Sequence, residues 1–185
     1  MGYAGGTKKN PAYHSLGDHS ETVQIEFDPS RISFKEMLGV FWESHDPIAR
    51  SWSRQYMSTI FFHDEEQKRL AFETMDREAS MLKQKVFTEI LPFTKFYMAE
   101  DYHQKFALQR NPDLMREFRI MYPSFERLVA STAAARVNGY LAGCGTSKDL
   151  VKEIGSYGLS STTADLLLGI AKSPARLRCT APAPH

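Results

Sequence analysis

The sequence predicts a mixed domain of α/β or α+β type followed by a helical extension. Between residues 21 and 98 extended and amphipathic helical patterns alternate. Beyond Ala99 only short helical patterns remain, separated by Pro123 and by glycines. The 185 residues, 42% of them hydrophobic, suffice for one core of ordinary size or a core with a smaller appendage.

Residues 2–20 read as an exposed loop, because Gly2, Gly5, Gly6, Asn10, Pro11 and Gly17 interrupt any regular period. Glu21 to Phe27 alternates strictly, with Val23, Ile25 and Phe27 on one face of an expected strand that Asp28-Pro29 ends. Ser33 opens a helix with Glu36 as its capping-box partner, an inward stripe of Phe34, Met37, Leu38, Phe41 and His45, and a stop at Pro47. Tyr56 to Phe62 is a second expected strand, rich in aromatic and β-branched residues. A long helix follows from Asp64, with Gln67 as box partner, to about residue 85. Its expected inner face is Ala71, Phe72, Met75, Ala79 and Leu82. Val86 to Met98 is extended, interrupted at Pro92. Helical patterns then cover 99–109, 112–122, 124–137, 147–155 and 161–172. The expected organisation is a core over 1–109, a helical extension over 110–172 and a disordered tail over 173–185, where three prolines break any pattern.

Charged residues make up 24% of the chain with a net charge of +1, which gives no electrostatic reason for a nucleic-acid or anionic-membrane partner. There is no apolar run of about 18 residues and no hydrophobic leader at the start, so a cytoplasmic location is expected. The two cysteines, Cys144 and Cys179, lie far apart and outside any metal-ligand spacing. They argue against a disulfide scaffold or a zinc site and for a reducing compartment. The histidines are scattered, so neither a metal nor another bound cofactor is expected.

Strand parity puts Glu21 on the face of Val23, Ile25 and Phe27, at its rim. A carboxyl partly desolvated there is suited to proton donation, although a frayed strand end facing water fits the same position. Tyr56 is in phase with Ile60 and Phe62 and its hydroxyl could reach that rim; Tyr13 could fold over it from the loop. A tyrosine at a strand edge also fits amphipathic packing. Together the three would form a neutral, proton-donating pocket suited to a polar oxygen. Cys144 follows Asn138-Gly139-Tyr140-Leu141-Ala142-Gly143 and precedes a helix capped at Ser147, the one structured setting for a reactive thiol. An inert cysteine fits the same setting.

Gly2-Tyr3-Ala4-Gly5-Gly6, Asn10-Pro11-Ala12-Tyr13 and Gly17-Asp18-His19-Ser20-Glu21-Thr22-Val23 resemble successive blocks of the A-type methionine sulfoxide reductases. Phe27-Asp28-Pro29, Ile32-Ser33-Phe34, Val40 to Pro47, Arg54-Gln55-Tyr56 and Phe96 to Lys105 continue the resemblance in order, and the C-terminal part is similar to the longer insect-type members. The resemblance implies a ferredoxin-like α+β core and reduction of methionine-(S)-sulfoxide, free or in proteins. A cysteine attacks the sulfur, a glutamate protonates the departing oxygen and two tyrosines hydrogen-bond it. Block by block these roles fall on Glu21, Tyr13 and Tyr56. The implied reductant is thioredoxin or another thiol, and a monomer is expected.

Three departures stand out. The family's nucleophile lies in a Gly-Cys-Phe-Trp-Gly segment upstream of the block at which this chain opens, so the core is expected to lack its first strand and helix. Arg50-Ser51-Trp52-Ser53 replaces a family stretch that carries an aspartate, and Leu141 stands where a resolving cysteine follows the tyrosine. The chain is therefore expected to be inactive alone, a truncated reductase. A non-catalytic binding protein for oxidised methionine or a protein partner is the alternative, and a reductase using Cys144 as nucleophile ranks third. Marginal folding is also expected, with Val23, Ile25 and Phe27 uncovered.

Overall fold

A computed structural model describes residues 1–173, which divide into two compact units, Met1–Glu100 and Asp101 onward. The boundary comes ahead of the expected residue 109 because Leu108, fully buried, belongs to the helical core that follows. From residue 174, the tail expected over 173–185 lies outside the described residues.

The first unit contains, in chain order, β1 (Gly2–Ala4), β2 (Ser20–Thr22), α1 (Phe34–Glu43), β3 (Thr59–Phe62), α2 (Glu65–Leu82), β4 (Glu89–Pro92) and β5 (Phe96–Met98). Strands β2, β1 and β5 form an antiparallel sheet with β1 central, while β3 and β4 pair in parallel across the α2 crossover. β1 falls inside the expected loop. Its pairing is long-range, and Gly2 is needed for packing as much as for turning: a Cβ there would stand 2.3 Å from the Phe96 ring and from Tyr97 O. Tyr3, fully buried, anchors a small cluster with Leu16 and Ala99, flanked by Tyr13 and Tyr97.

The strand expected over 21–27 closes after Thr22, and Val23 and Ile25 are 67% and 58% exposed. Alternation supplied an apolar face, but no ladder partner extends along it among the described residues. That segment instead borders an open groove of about 700 Å³, whose other walls include Met37 and Phe41 of α1 and Ile60 of β3. Tyr56 lies in a turn ahead of β3 instead of starting it.

The first capping signal is realised in full, and the second in its Asp64 half only, since Gln67 Oε1 accepts from His63 N at 3.0 Å instead of from Asp64 N. Ser33 and Glu36 form the reciprocal box at the start of α1, and Asp64 accepts from Gln67 N at 2.7 Å at the start of α2. The core between these helices joins Leu38, Trp42, Ile60 and Ala71. Trp42, absent from the expected stripe, is buried, and α2 faces inward through Ala71, Thr74 and Met75. Phe72 and Leu82 are exposed, contrary to expectation. The inward face is centred on Ala71, Thr74 and Met75, about one residue away from a face that would include Phe72 and Leu82, and side chains one residue apart point about 100° apart.

The second unit is helical: α3 (Phe106–Gln109), α4 (Pro112–Met121), α5 (Phe125–Ala130), α6 (Thr132–Leu141), α7 (Ser147–Glu153) and α8 (Ser161–Lys172). Leu114, Phe118, Leu128, Val137, Leu150 and Leu167 fill its centre. The single helix expected over 124–137 is broken at Ser131, which ends α5 and accepts from Ala134 N at 3.1 Å to cap α6.

Candidate functional site

Glu21 occupies β2, opposite Tyr3 of the central strand. Its backbone N–H donates to Gln55 O at 2.9 Å, and Ser20 Oγ donates to Arg54 O at 2.7 Å. These bonds latch the turn carrying Gln55 and Tyr56 onto β2 across 34 residues of chain. Within the latch, Gln55 Nε2 donates to Glu21 Oε1 at 2.6 Å and to the Tyr56 hydroxyl at 3.2 Å. Tyr56 is also hydrogen-bonded to Tyr13. That bond, then partial burial, then the charges of Tyr13 and Glu21 hold the Tyr56 phenol above its ordinary range. The structure therefore brings Glu21, Tyr13 and Tyr56 into one connected group, with Gln55 at its middle.

Tyr13 is held from below. Glu100 accepts from Tyr13 N at 3.0 Å through Oε1 and from the buried Tyr3 hydroxyl at 2.6 Å through Oε2. The remainder of the loop is stapled by polar contacts. Asp18 accepts from the Thr7 hydroxyl and the Thr7 and Lys8 backbone N–H groups, and these bonds pull its pKa down to about 2. His19, fully buried, accepts from Gly6 N through Nδ1 at 3.1 Å and bonds Lys8 O through Nε2 at 2.8 Å. A Cβ on Gly6 would meet Asp18 Oδ1 and His19 N at 2.6 Å, so this close approach requires glycine.

Tyr13, Gln55 and Tyr56 line an open polar cavity of about 520 Å³, bordered also by Ser53 and Gly17. The exposed Trp52 ring lies 5.3 Å from that of Tyr56. Glu21 borders the neighbouring groove of about 700 Å³ and meets this cavity's lining through Gln55; the two phenols can offer hydrogen bonds to an uncharged polar oxygen, and the carboxyl a proton. Among the described residues no group of three His, Cys, Asp or Glu side chains could hold a metal ion, and no helix is long and apolar enough to cross a membrane.

Cys144 behaves otherwise than expected. It is disulfide-bonded, so in this state it offers no thiolate, and the sequence argument against disulfides does not hold for it. Two residues escaped the sequence reading as parts of the site, Gln55 and Glu100. Their only signal was membership of the Arg54-Gln55-Tyr56 and Phe96–Lys105 blocks.

A model of the peptide methionine sulfoxide reductase family matches residues 1–135. A peptide methionine sulfoxide reductase of Drosophila melanogaster is 41% identical over 88% of this chain and 65% of its own length. The A5 protein of Oryza sativa subsp. japonica is 42% identical over 77% of this chain and 58% of its own. The chain thus spans less than two thirds of these relatives. Mxr1 of Saccharomyces cerevisiae in reduced form superposes with a TM-score of 0.55 at 27% identity, covering 60% of this chain and 69% of that one. Methionine sulfoxide reductase A of Corynebacterium diphtheriae gives 0.50 at 30%, covering 60% and 62%.

Proposed function

The chain belongs to the peptide methionine sulfoxide reductase family, with an α+β first unit, and from that premise we propose that its Glu21–Gln55–Tyr56–Tyr13 group binds the oxygen of methionine-(S)-sulfoxide, free or in proteins. In this reading the oxygen accepts from the Tyr56 and Tyr13 hydroxyls, and Glu21 delivers the proton it takes up as its bond to sulfur breaks. A thiol attacks the sulfur, the thioether leaves, and the thiol retains the oxygen as a sulfenic acid. A second thiol converts that to a disulfide and water, a net two-electron reduction. Thioredoxin or another dithiol is the reductant we assign to this cycle, in a cytoplasmic monomer.

The observation that carries the reading is the link of Glu21 to Tyr56 through Gln55, with Tyr13 joined to the group through Tyr56. The thiol is a separate requirement. The sequence has two cysteines, and Cys144 is disulfide-bonded. We therefore propose that these 185 residues alone bind the sulfoxide without turning it over, which makes a non-catalytic reader of oxidised methionine the second reading.

The test pairs binding with turnover. N-acetyl-methionine-(S)-sulfoxide amide is expected to perturb the Tyr13 and Tyr56 ring resonances far more than the R epimer does, with no methionine formed in dithiothreitol. Equal response to both epimers overturns the binding reading. Turnover that disappears in Cys144→Ser overturns the assignment of Cys144 as inert.

A further inference from the structure

We propose that Gln55 is a positioning residue that orders the protons of the site, fixing which oxygen of Glu21 accepts and which carries the acid proton. The proposal deepens the sulfoxide reading and, for its use in catalysis, rests on it. A carboxamide nitrogen can only donate. With Nε2 at 2.6 Å from Glu21 Oε1, that oxygen is an acceptor, which favours the proton of the acid form on Oε2. The same nitrogen donates its second hydrogen to the Tyr56 oxygen at 3.2 Å, so the Tyr56 O–H is turned away from Gln55 and left for Tyr13 or a ligand. One amide thus sets the direction of both proton donors.

The geometry is built into the backbone as well as the side chain. Gln55 O accepts from the N–H of Glu21, the residue its side chain orients. The preceding Arg54 is fixed through its carbonyl to Ser20 Oγ and through its guanidinium to Glu89 at 2.7 Å. A lysine or arginine at residue 55 would also donate to Glu21, but its formal charge would favour the carboxylate over the acid. The carboxamide orients without adding charge, which is what a proton donor needs from its neighbour.

The test uses the intact chain and two variants close in shape. Gln55→Met keeps the volume and removes the donor; Gln55→Glu donates only when its carboxyl is protonated. In the ligand-free wild type, the Gln55 side-chain amide resonances are expected to move in Glu21→Gln and in Tyr56→Phe. Amide resonances indifferent to both substitutions overturn the proposal. Affinity for the S-sulfoxide amide is then followed from about pH 4 to about pH 8. Gln55→Met is expected to bind about tenfold more weakly throughout. Gln55→Glu is expected to be weak at the upper end of that range and to recover toward wild type as the pH falls, where the two adjacent carboxyls take up a shared proton and residue 55 becomes a donor. Gln55→Met within twofold of wild type, or Gln55→Glu without pH-dependent recovery, overturns the proposal. A wild type with coupled amide resonances that binds neither epimer overturns the sulfoxide reading and leaves the proton-ordering role supported.

Discussion

Glu100 holds the Tyr13 loop to the floor of the first unit, and Glu100→Ala is expected to loosen both. Two donors lose this acceptor: the Tyr3 hydroxyl at 2.6 Å and Tyr13 N at 3.0 Å. A hydrogen bond to a charged acceptor contributes about 1.5–3 kcal/mol, most where the donor cannot turn to water. Tyr3 is fully buried and falls at the upper end; Tyr13 is partly exposed, and water offsets most of its loss. The sum is about 2–4 kcal/mol, a large share of a typical domain's stability of about 5–15 kcal/mol. Tyr3→Phe should cost about 1–2 kcal/mol, and the double variant less than the sum of the two singles, because both remove the same bond. Trp42 and Trp52 are the only tryptophans, and both lie in the first unit, so urea unfolding followed by tryptophan fluorescence reports on that unit. A Glu100→Ala chain within about 0.5 kcal/mol of wild type, or strict additivity with Tyr3→Phe, refutes the reasoning.

Two further expectations concern the same unit. Asp18 titrates at about 2 in the folded chain, below its ordinary value, so its bonds to Thr7 and Lys8 stabilise the fold above about pH 4 and are lost as the pH falls through 2. Wild type should therefore shed stability over that window more steeply than Asp18→Asn does, as read by tryptophan fluorescence; parallel acid profiles refute it. Val23 and Ile25 stand exposed on the groove beside α1, so the native chain should bind a hydrophobic dye, and Val23→Ser/Ile25→Thr should bind less with stability changed by under about 0.5 kcal/mol. Undiminished dye fluorescence in that variant would place the dye elsewhere.

Much of the local structure was legible because its causes are local. The capping box at Ser33 and the Asp64 cap formed where expected, and the helix expected over 161–172 is α8, Ser161–Lys172. What was not legible depends on partners distant in the chain. Alternation at 21–27 was read as a strand, but a strand needs a neighbour, and the ladder stops at Thr22. The reading of Glu21 and Tyr56 as near neighbours reached the observed proximity by the wrong route. Parity placed Tyr56 in a strand, whereas it sits in a turn fastened to β2 through Gln55 and Arg54. No periodicity encodes that fastening, nor the placement of Glu100 beneath Tyr13. The disulfide of Cys144 was missed because local sequence described its setting but not what its sulfur meets.

The position of Glu100 has a practical consequence for anyone dissecting the chain. The residue that supports the Tyr13 loop is also the last of the first unit, adjoining the peptide bond where the helical unit begins. A protease or a gene boundary that cuts just ahead of it would leave Glu21, Gln55, Tyr13 and Tyr56 all present in the excised fragment. That fragment would still lack the carboxylate under the loop. Its loss of function would look like a need for the helical unit, when one side chain at the seam had gone. Carrying the excision past Glu100, to the end of the Asp101–His103 turn, separates the two explanations.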